Sequence, residues 1–113
     1  MDIQYYVQQT RGCHIVMPVF SAEAADSFPA RRVTAMNEFY TSMTEHISTY
    51  AAGLYAEFPH SRYTCLGEVS REENGCLTVQ FRLFRRTPGQ PSTSRVLRHI
   101  WQDGLLLRQI VDR

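Results

Sequence analysis

The side chains best suited to acid–base or metal chemistry are four histidines, and their spacing assembles no site. His14, His46, His60 and His99 are scattered along the chain. No two of them have the His-x-x-x-His or His-Glu-x-x-His spacing that would place two ring nitrogens on one face of a helix. The sequence therefore predicts no metal site and no catalytic histidine, and we expect no cofactor.

The candidate nucleophiles are equally scattered. The three cysteines, Cys13, Cys65 and Cys76, are odd in number and lack Cys-x-x-Cys spacing, which favours reduced, buried thiols. No serine lies in a Gly-x-Ser-x-Gly turn, and no glycine-rich phosphate loop is present. All 12 basic residues are arginine, which excludes Schiff-base chemistry and a P-loop lysine. We predict no catalytic residue, and the question of enzymatic activity stays open.

Arginine is the remaining residue type with binding chemistry. Arginines along predicted strands can hold an anion or an acidic partner through bidentate contacts, or they can simply protect an exposed sheet from association. His99 shares a strand face with Trp101, which makes this pair a further candidate. The resulting candidate interaction surface consists of Arg62, Arg82, Arg86, Arg98, His99 and Trp101.

Composition limits the class of protein. A chain of 113 residues allows one domain (residues 1–113), and 43% hydrophobic residues are enough to form its core. A net charge of +1 argues against a nucleic-acid partner, which would favour a concentrated basic surface. No segment resembles a signal peptide, and none approaches the roughly 18 apolar residues of a membrane span. We expect a cytoplasmic protein without a membrane partner.

One long amphipathic helix is predicted over residues 29–58. Asp26 or Ser27 can cap its first turn, and Pro59 ends it. Three- and four-residue steps place one apolar stripe on a single face. The stripe consists of Val33, Met36, Tyr40, Met43, Ile47, Tyr50, Leu54 and Phe58.

Strands are predicted on both sides of this helix. Residues 3–20 form a hairpin or one long strand with a bulge at Gly12, and Pro18 should take the chain out of the sheet. Residues 62–71 and 76–86 form a hairpin with the three-residue loop 73–75, because only that loop pairs Val69 with Val79 and Cys65 with Leu83.

The last predicted hairpin turns at Asp103-Gly104 and joins residues 95–102 to 105–112. A two-residue loop there places Trp101 opposite Leu106, and Leu97 opposite Ile110. Both faces of this hairpin are largely apolar. One face should pack on the helix, and the other should be covered by the N-terminal strand, a ligand or a second subunit.

The fold class is therefore α+β, with one long helix on a predominantly antiparallel sheet of about five or six strands. The segments Pro-Val-Phe-Ser before the helix, Met-Asn-Glu-Phe-Tyr within it, and Trp-Gln-Asp-Gly-Leu-Leu-Leu near the end resemble extracytoplasmic domains of Firmicutes. Residues 15–111 are similar to the lysozyme-binding domain of an anti-sigma factor and to its relatives beside peptidoglycan deacetylases. The resemblance implies the fold, and no binding or catalytic residue is transferred from it.

Two functions are compatible with these patterns. The preferred interpretation is a non-enzymatic module that binds another protein or forms a homodimer through its remaining apolar sheet surface. The alternative is a small-molecule or enzymatic pocket between the helix and a curved sheet.

Overall fold

Six strands and one helix make up the computed structural model, which describes residues 1–24, 26 and 28–112. The sheet has the order β1-β2-β3-β4-β5-β6, and only β2 and β3 run parallel. A parallel pair needs a long crossover, and the helix α1 provides it. The α+β class with a mostly antiparallel sheet is therefore confirmed. The elements are β1 (Asp2–Thr10), β2 (Cys13–Ser21), α1 (Ala30–Glu57), β3 (Arg62–Arg71), β4 (Cys76–Arg86), β5 (Thr93–Gln102) and β6 (Leu105–Asp112).

The N-terminal segment is a hairpin rather than one bulged strand, with Thr10 paired to Cys13 across the turn. Gly12 has a φ of 75°, and a Cβ there would lie 2.7 Å from the Tyr55 ring and 2.8 Å from the Ser61 carbonyl oxygen. The Gly12 carbonyl accepts a hydrogen bond from the Tyr63 amide at 2.9 Å. Glycine therefore allows the turn to contact both the end of α1 and the start of β3.

The prediction that the chain leaves the sheet at Pro18 is wrong. β2 continues to Ser21, which pairs with Asp2 of β1. The pairing of β2 with β3 stops earlier, at Val16. Pro18 lies beyond the end of that pairing, where the side of β2 toward β3 forms no hydrogen bonds to another strand. A residue without an N–H is therefore tolerated there.

The helix begins one residue later and ends one residue earlier than predicted. Pro29 is its N-cap and forms no side-chain capping bond. Asp26 does not cap α1, because its carboxylate accepts hydrogen bonds from the Met1 ammonium at 2.9 Å and the Glu23 amide at 2.7 Å. Ser27 lies outside the described residues.

The buried face of α1 follows the predicted stripe only in its first half. Val33, Met36 and Tyr40 are buried as predicted. Beyond them the buried residues are Thr44 and Ala51, whereas Tyr50 and Phe58 are 47% and 36% exposed. Met43 and Ile47 are half-buried and pack against the core, and the small residues Thr44 and Ala51 let the helix stay close to β2.

The two C-terminal hairpins differ in how closely they follow prediction. Between β3 and β4, Val69 pairs with Val79 and Cys65 with Leu83, which confirms the three-residue loop. Between β5 and β6, Trp101 lies opposite Leu106 as predicted, but the register shifts between Ile100 and Trp101.

The shift corrects the remaining pairs of this hairpin. Leu97 lies opposite Val111, not Ile110, and His99 lies opposite Gln109. A bulge inserts one extra residue on one strand, so every pair beyond it moves by one position.

The sheet has one covered and one open face. The core lies between α1 and the sheet and includes the fully buried Ile15, Met36, Cys65, Val79 and Phe81. The extents are 50 × 25 × 16 Å, which leaves room for only two layers. β1 lies at the sheet edge beside β2, so it does not cover the last hairpin as one sequence-based alternative proposed.

One buried hydroxyl tests how completely this core satisfies its polar groups. Thr87 follows β4 and is 2% exposed, and its Oγ1 has no hydrogen-bond partner among the described residues. We expect Thr87→Val to raise the free energy of unfolding by about 1 kcal/mol, because it removes an unpaired buried polar group without changing the shape. Urea denaturation measures this.

Thr44→Val is the matched control. The buried Thr44 hydroxyl donates a 2.9 Å hydrogen bond to the Tyr40 carbonyl, so this substitution should lower stability. Equal effects of the two valines would contradict the assignment of Thr87 as unpaired.

Candidate functional site

The arginines predicted to form an interaction surface lie on one side of the sheet. We call the side opposite α1 the outer face. Arg62 pairs with Arg86, Leu66 with Arg82, and Gln80 with Arg98 across β3, β4 and β5. Since residues at alternate positions share a face, the register brings all four arginines together there.

Most of the charge on this face is not neutralised within the chain. Arg98 forms an ion pair with Asp112, and its Nε donates to Gln80 Oε1 at 3.1 Å. Among the described residues, Arg62, Arg82 and Arg86 form no ion pair with a carboxylate. Arg62 and Arg86 lie directly opposite one another, an arrangement of like charges that destabilises an isolated sheet.

Apolar side chains interrupt the arginines on the outer face. Val7 pairs with Val16, and Val16 pairs with Leu66, so that these residues form a row across β1, β2 and β3. Val7, Leu66 and Phe84 are 57%, 41% and 43% exposed. The outer face therefore combines an exposed apolar row with unpaired positive charge.

His99 and Trp101 do not belong to this surface. They share a face, as predicted, but it is the face beneath α1, and the two residues are only 1% and 4% exposed. The β4–β5 register explains this, because it pairs Trp101 with the core residue Leu77, and His99 with Val79. The candidate surface thus reduces to Arg62, Arg82, Arg86 and Arg98.

Beneath the helix, Tyr40 links His99 to Trp101. The Trp101 indole donates to the Tyr40 hydroxyl oxygen at 2.8 Å, and that oxygen lies 2.8 Å from His99 Nδ1. Since the indole can only donate, the tyrosine proton is directed to Nδ1, and Nε2 carries the ring proton of the neutral histidine. Sequence reasoning assigned Tyr40 to the apolar stripe and missed this bond, although a buried tyrosine hydroxyl needs a partner.

The electrostatics of this network favour neutral groups. Burial lowers the pKa of His99 and raises the pKa of Tyr40. Burial also raises the pKa of Cys65 to about 12 and raises the pKa of Cys13. These groups are uncharged at neutral pH, so the network orients the core and offers no ionised nucleophile.

A polar pocket lies where the β1–β2 turn meets the start of β3. It has a volume of about 430 Å³, and its lining includes Arg11, His14, His60 and Arg62. Arg11 lies over the Tyr55 ring at 5.9 Å from its centroid. This pocket extends the basic character of the outer face to the end of the sheet.

A scan against protein-family models and a search of curated proteins each found no match. Within residues 1–24, 26 and 28–112, no three His, Cys, Asp or Glu side chains group as a metal site, and no helix is long and apolar enough to cross a bilayer. A functional assignment therefore rests on the geometry.

The first prediction for this region concerns the Tyr40 hydroxyl. Tyr40→Phe leaves Trp101 Nε1 and His99 Nδ1 without their shared partner in the core, and we expect a loss of about 2–4 kcal/mol in the free energy of unfolding. Chemical denaturation followed by Trp101 fluorescence measures it. Tyr6→Phe is the control, because the Tyr6 hydroxyl forms an exposed bond to Gln8, and an equal loss there would contradict the network.

The second prediction concerns pH. Burial depresses the pKa of folded His99 below its ordinary value of 6.5, so the unfolded chain binds more protons as the pH falls through that value. Its contribution to stability is complete above pH 6.5 and is lost at lower pH. We expect His99→Gln to flatten the decline in unfolding free energy from about pH 7 to about pH 5.

His46→Gln is the control for this titration. His46 lies on the exposed surface of α1, with its Nδ1 2.7 Å from the Ser42 carbonyl oxygen. An unchanged pH profile in His99→Gln, or the same flattening in His46→Gln, would show that His99 is not the source.

Proposed function

We propose that this chain is a non-enzymatic binding module that forms a homodimer by packing the outer faces of two copies together. The main observation that supports this proposal is an uncovered sheet face with exposed apolar residues at Val7, Leu66 and Phe84. Clustered apolar surface of this kind marks interaction sites in water-soluble domains. The arginines on the same face supply polar contacts for such an interface.

The accessible surface area of the chain is consistent with an interface to a second copy. The chain exposes 7235 Å², whereas a folded monomer of 13.1 kDa exposes about 6,400 Å². The excess of about 800 Å² equals the area that each partner contributes to a standard protein interface. A second copy packed face to face on the sheet would bury an area of this size and close the assembly with two-fold symmetry.

Charge on the outer face supports a specific arrangement. Arg82 pairs with Leu66 near the middle of the sheet, and Glu68 follows two positions along the same side of β3. Neither Arg82 nor Glu68 forms an ion pair among the described residues. A two-fold axis between these positions pairs the Arg82 of each copy with Glu68 of the other.

Charge reversal tests this arrangement. Arg82→Glu or Glu68→Arg alone places like charges together across the axis, and we expect each to weaken dimerisation by at least about tenfold. The double variant restores opposite charges and should recover the dimer. Light scattering over a dilution series measures the mass, with Arg31→Glu on exposed α1 as the charge-matched control.

A purified protein that is monomeric at every concentration would contradict self-association. A dimer that is unaffected by both single reversals would contradict the outer face as its interface. Weakening by both single reversals distinguishes a direct contact from a general effect of net charge, because Arg82→Glu lowers the net charge and Glu68→Arg raises it.

Binding of a different protein is the related proposal, since an exposed apolar sheet face also fits another chain. Light scattering separates the two, since only a second copy changes the mass of the purified chain. A cytoplasmic location belongs to this proposal as well, and it is supported by three cysteines that are free thiols.

A further inference from the structure

The helix leaves part of its own side of the sheet open. α1 lies along β2 and reaches β3, whereas the helix-facing residues Leu83 and Leu97 of β4 and β5 are only half-buried. On the edge strand β6, Val111 is 58% exposed although it lies opposite Leu97. A concave strip therefore remains between α1 and the last three strands.

Two cavities occupy this strip. One has a volume of about 340 Å³, and its lining includes Tyr50, Leu83, Arg85 and Arg95. The other has a volume of about 640 Å³ and is lined in part by Phe39, Met43, Leu97 and His99. Arg95, Leu97 and His99 are successive residues on one side of β5, so the cavities lie end to end. We call them together the β5 groove, and each has the size of a ligand site.

Two arginines lie at one end of the β5 groove. Leu83 pairs with Arg95 and Thr93 with Arg85, which makes the two arginines diagonal neighbours on the helix-facing side. The Tyr50 hydroxyl accepts a 3.0 Å hydrogen bond from Arg85 Nη1 and orients that guanidinium. No carboxylate lines this cavity, and among the described residues neither arginine forms an ion pair.

The positions of these arginines break the polarity pattern of their strands. The helix-facing side of β4 and β5 is otherwise built from core residues such as Val79, Phe81 and Trp101. A guanidinium is charged at every physiological pH and offers paired donors that fit a carboxylate. Two of them beside one cavity create a site for an anion.

The rest of the groove limits the ligand to a single anionic group. Leu83, Leu97, Met43 and Phe39 provide apolar walls along its length. Glu38 lines the far cavity and would repel a second anion there. The distance from Arg95 to His99 is four residues of strand, which is on the order of 13 Å.

We propose that the β5 groove binds a carboxylate with an extended apolar body, whose anionic head is held by Arg85 and Arg95 and whose body lies along Leu97 toward His99. The site is on the opposite side of the sheet from the proposed dimer interface. Ligand binding and dimerisation can therefore succeed or fail independently.

Decanoate is a suitable probe, titrated below its critical micelle concentration at neutral pH. Trp101 is the only tryptophan, and its ring centroid lies 5.5 Å from that of Phe39 in the groove wall, so its fluorescence reports occupancy. We expect saturable decanoate binding by fluorescence and calorimetry, with much weaker binding of decanol and butyrate. Equal binding of decanol, or no binding of decanoate, would overturn the proposal.

Substitutions of the two arginines test where the carboxylate of decanoate binds. Arg85→Gln and Arg95→Gln should each weaken decanoate binding by about tenfold or more, because each removes a charged hydrogen-bond donor. Arg31→Gln is the matched control, since it makes the same charge change on the exposed surface of α1. An equal loss in Arg31→Gln would overturn the assignment. Unchanged thermal melts of all three variants, and their mass by light scattering, separate this result from unfolding and from loss of the dimer.

Discussion

A single helix packs on a sheet that is wider than the helix, and the other features of the molecule depend on this mismatch. An α-helix with its side chains is about 10 Å wide, whereas six strands span about 24 Å. α1 packs against β2, because Thr44 and Ala51 allow the helix to lie close to this strand. It therefore leaves part of its own side of the sheet open and covers none of the other side. The β5 groove and the outer face are the two surfaces that this packing leaves open.

The hydrogen-bonded core explains why the helix keeps its position. Tyr40 occupies the middle of the buried stripe, and its hydroxyl lies between Trp101 and His99 of β5. Phe39 packs edge-to-face at 86° to Tyr40 and 87° to Trp101, while the Tyr40 ring is stacked on His99 at 25°. Such edge-to-face packing is directional, so it specifies one arrangement of helix and sheet where apolar burial alone would accept several.

The sequence predicted features that have a local cause. The β3–β4 register followed from the need to pair Val69 with Val79, and the Asp103-Gly104 turn followed from its residue types. The bulge near Ile100 carries no such signal, because neither a glycine nor a proline marks it, and the register beyond it could not be foreseen. The exposure of Tyr50 was also unpredictable, because it depends on which strand the helix packs against. The spacing of apolar residues defines the buried face of a helix, but it does not identify the strand against which that face packs.

The candidate site shows the same division. The shared face of Arg62, Arg82, Arg86 and Arg98 follows from strand parity once the registers are known. The burial of His99 and Trp101 required knowing which side of β5 the helix covers. The alternation of side chains along a strand shows which residues share a face. It does not show which of the two faces is exposed to water.

The nearly neutral net charge of this chain hides a separation of charges. The 12 arginines are almost balanced by 11 acidic residues, yet within the described residues the arginine ion pairs reduce to Arg98 with Asp112. Positive charge therefore persists on the outer face and at Arg85 and Arg95, while Glu38 and Glu45 lie on exposed α1. Like charges held together without partners reduce the stability of the isolated fold. The charges on these two opposite surfaces therefore do not contribute to the folding of the single chain.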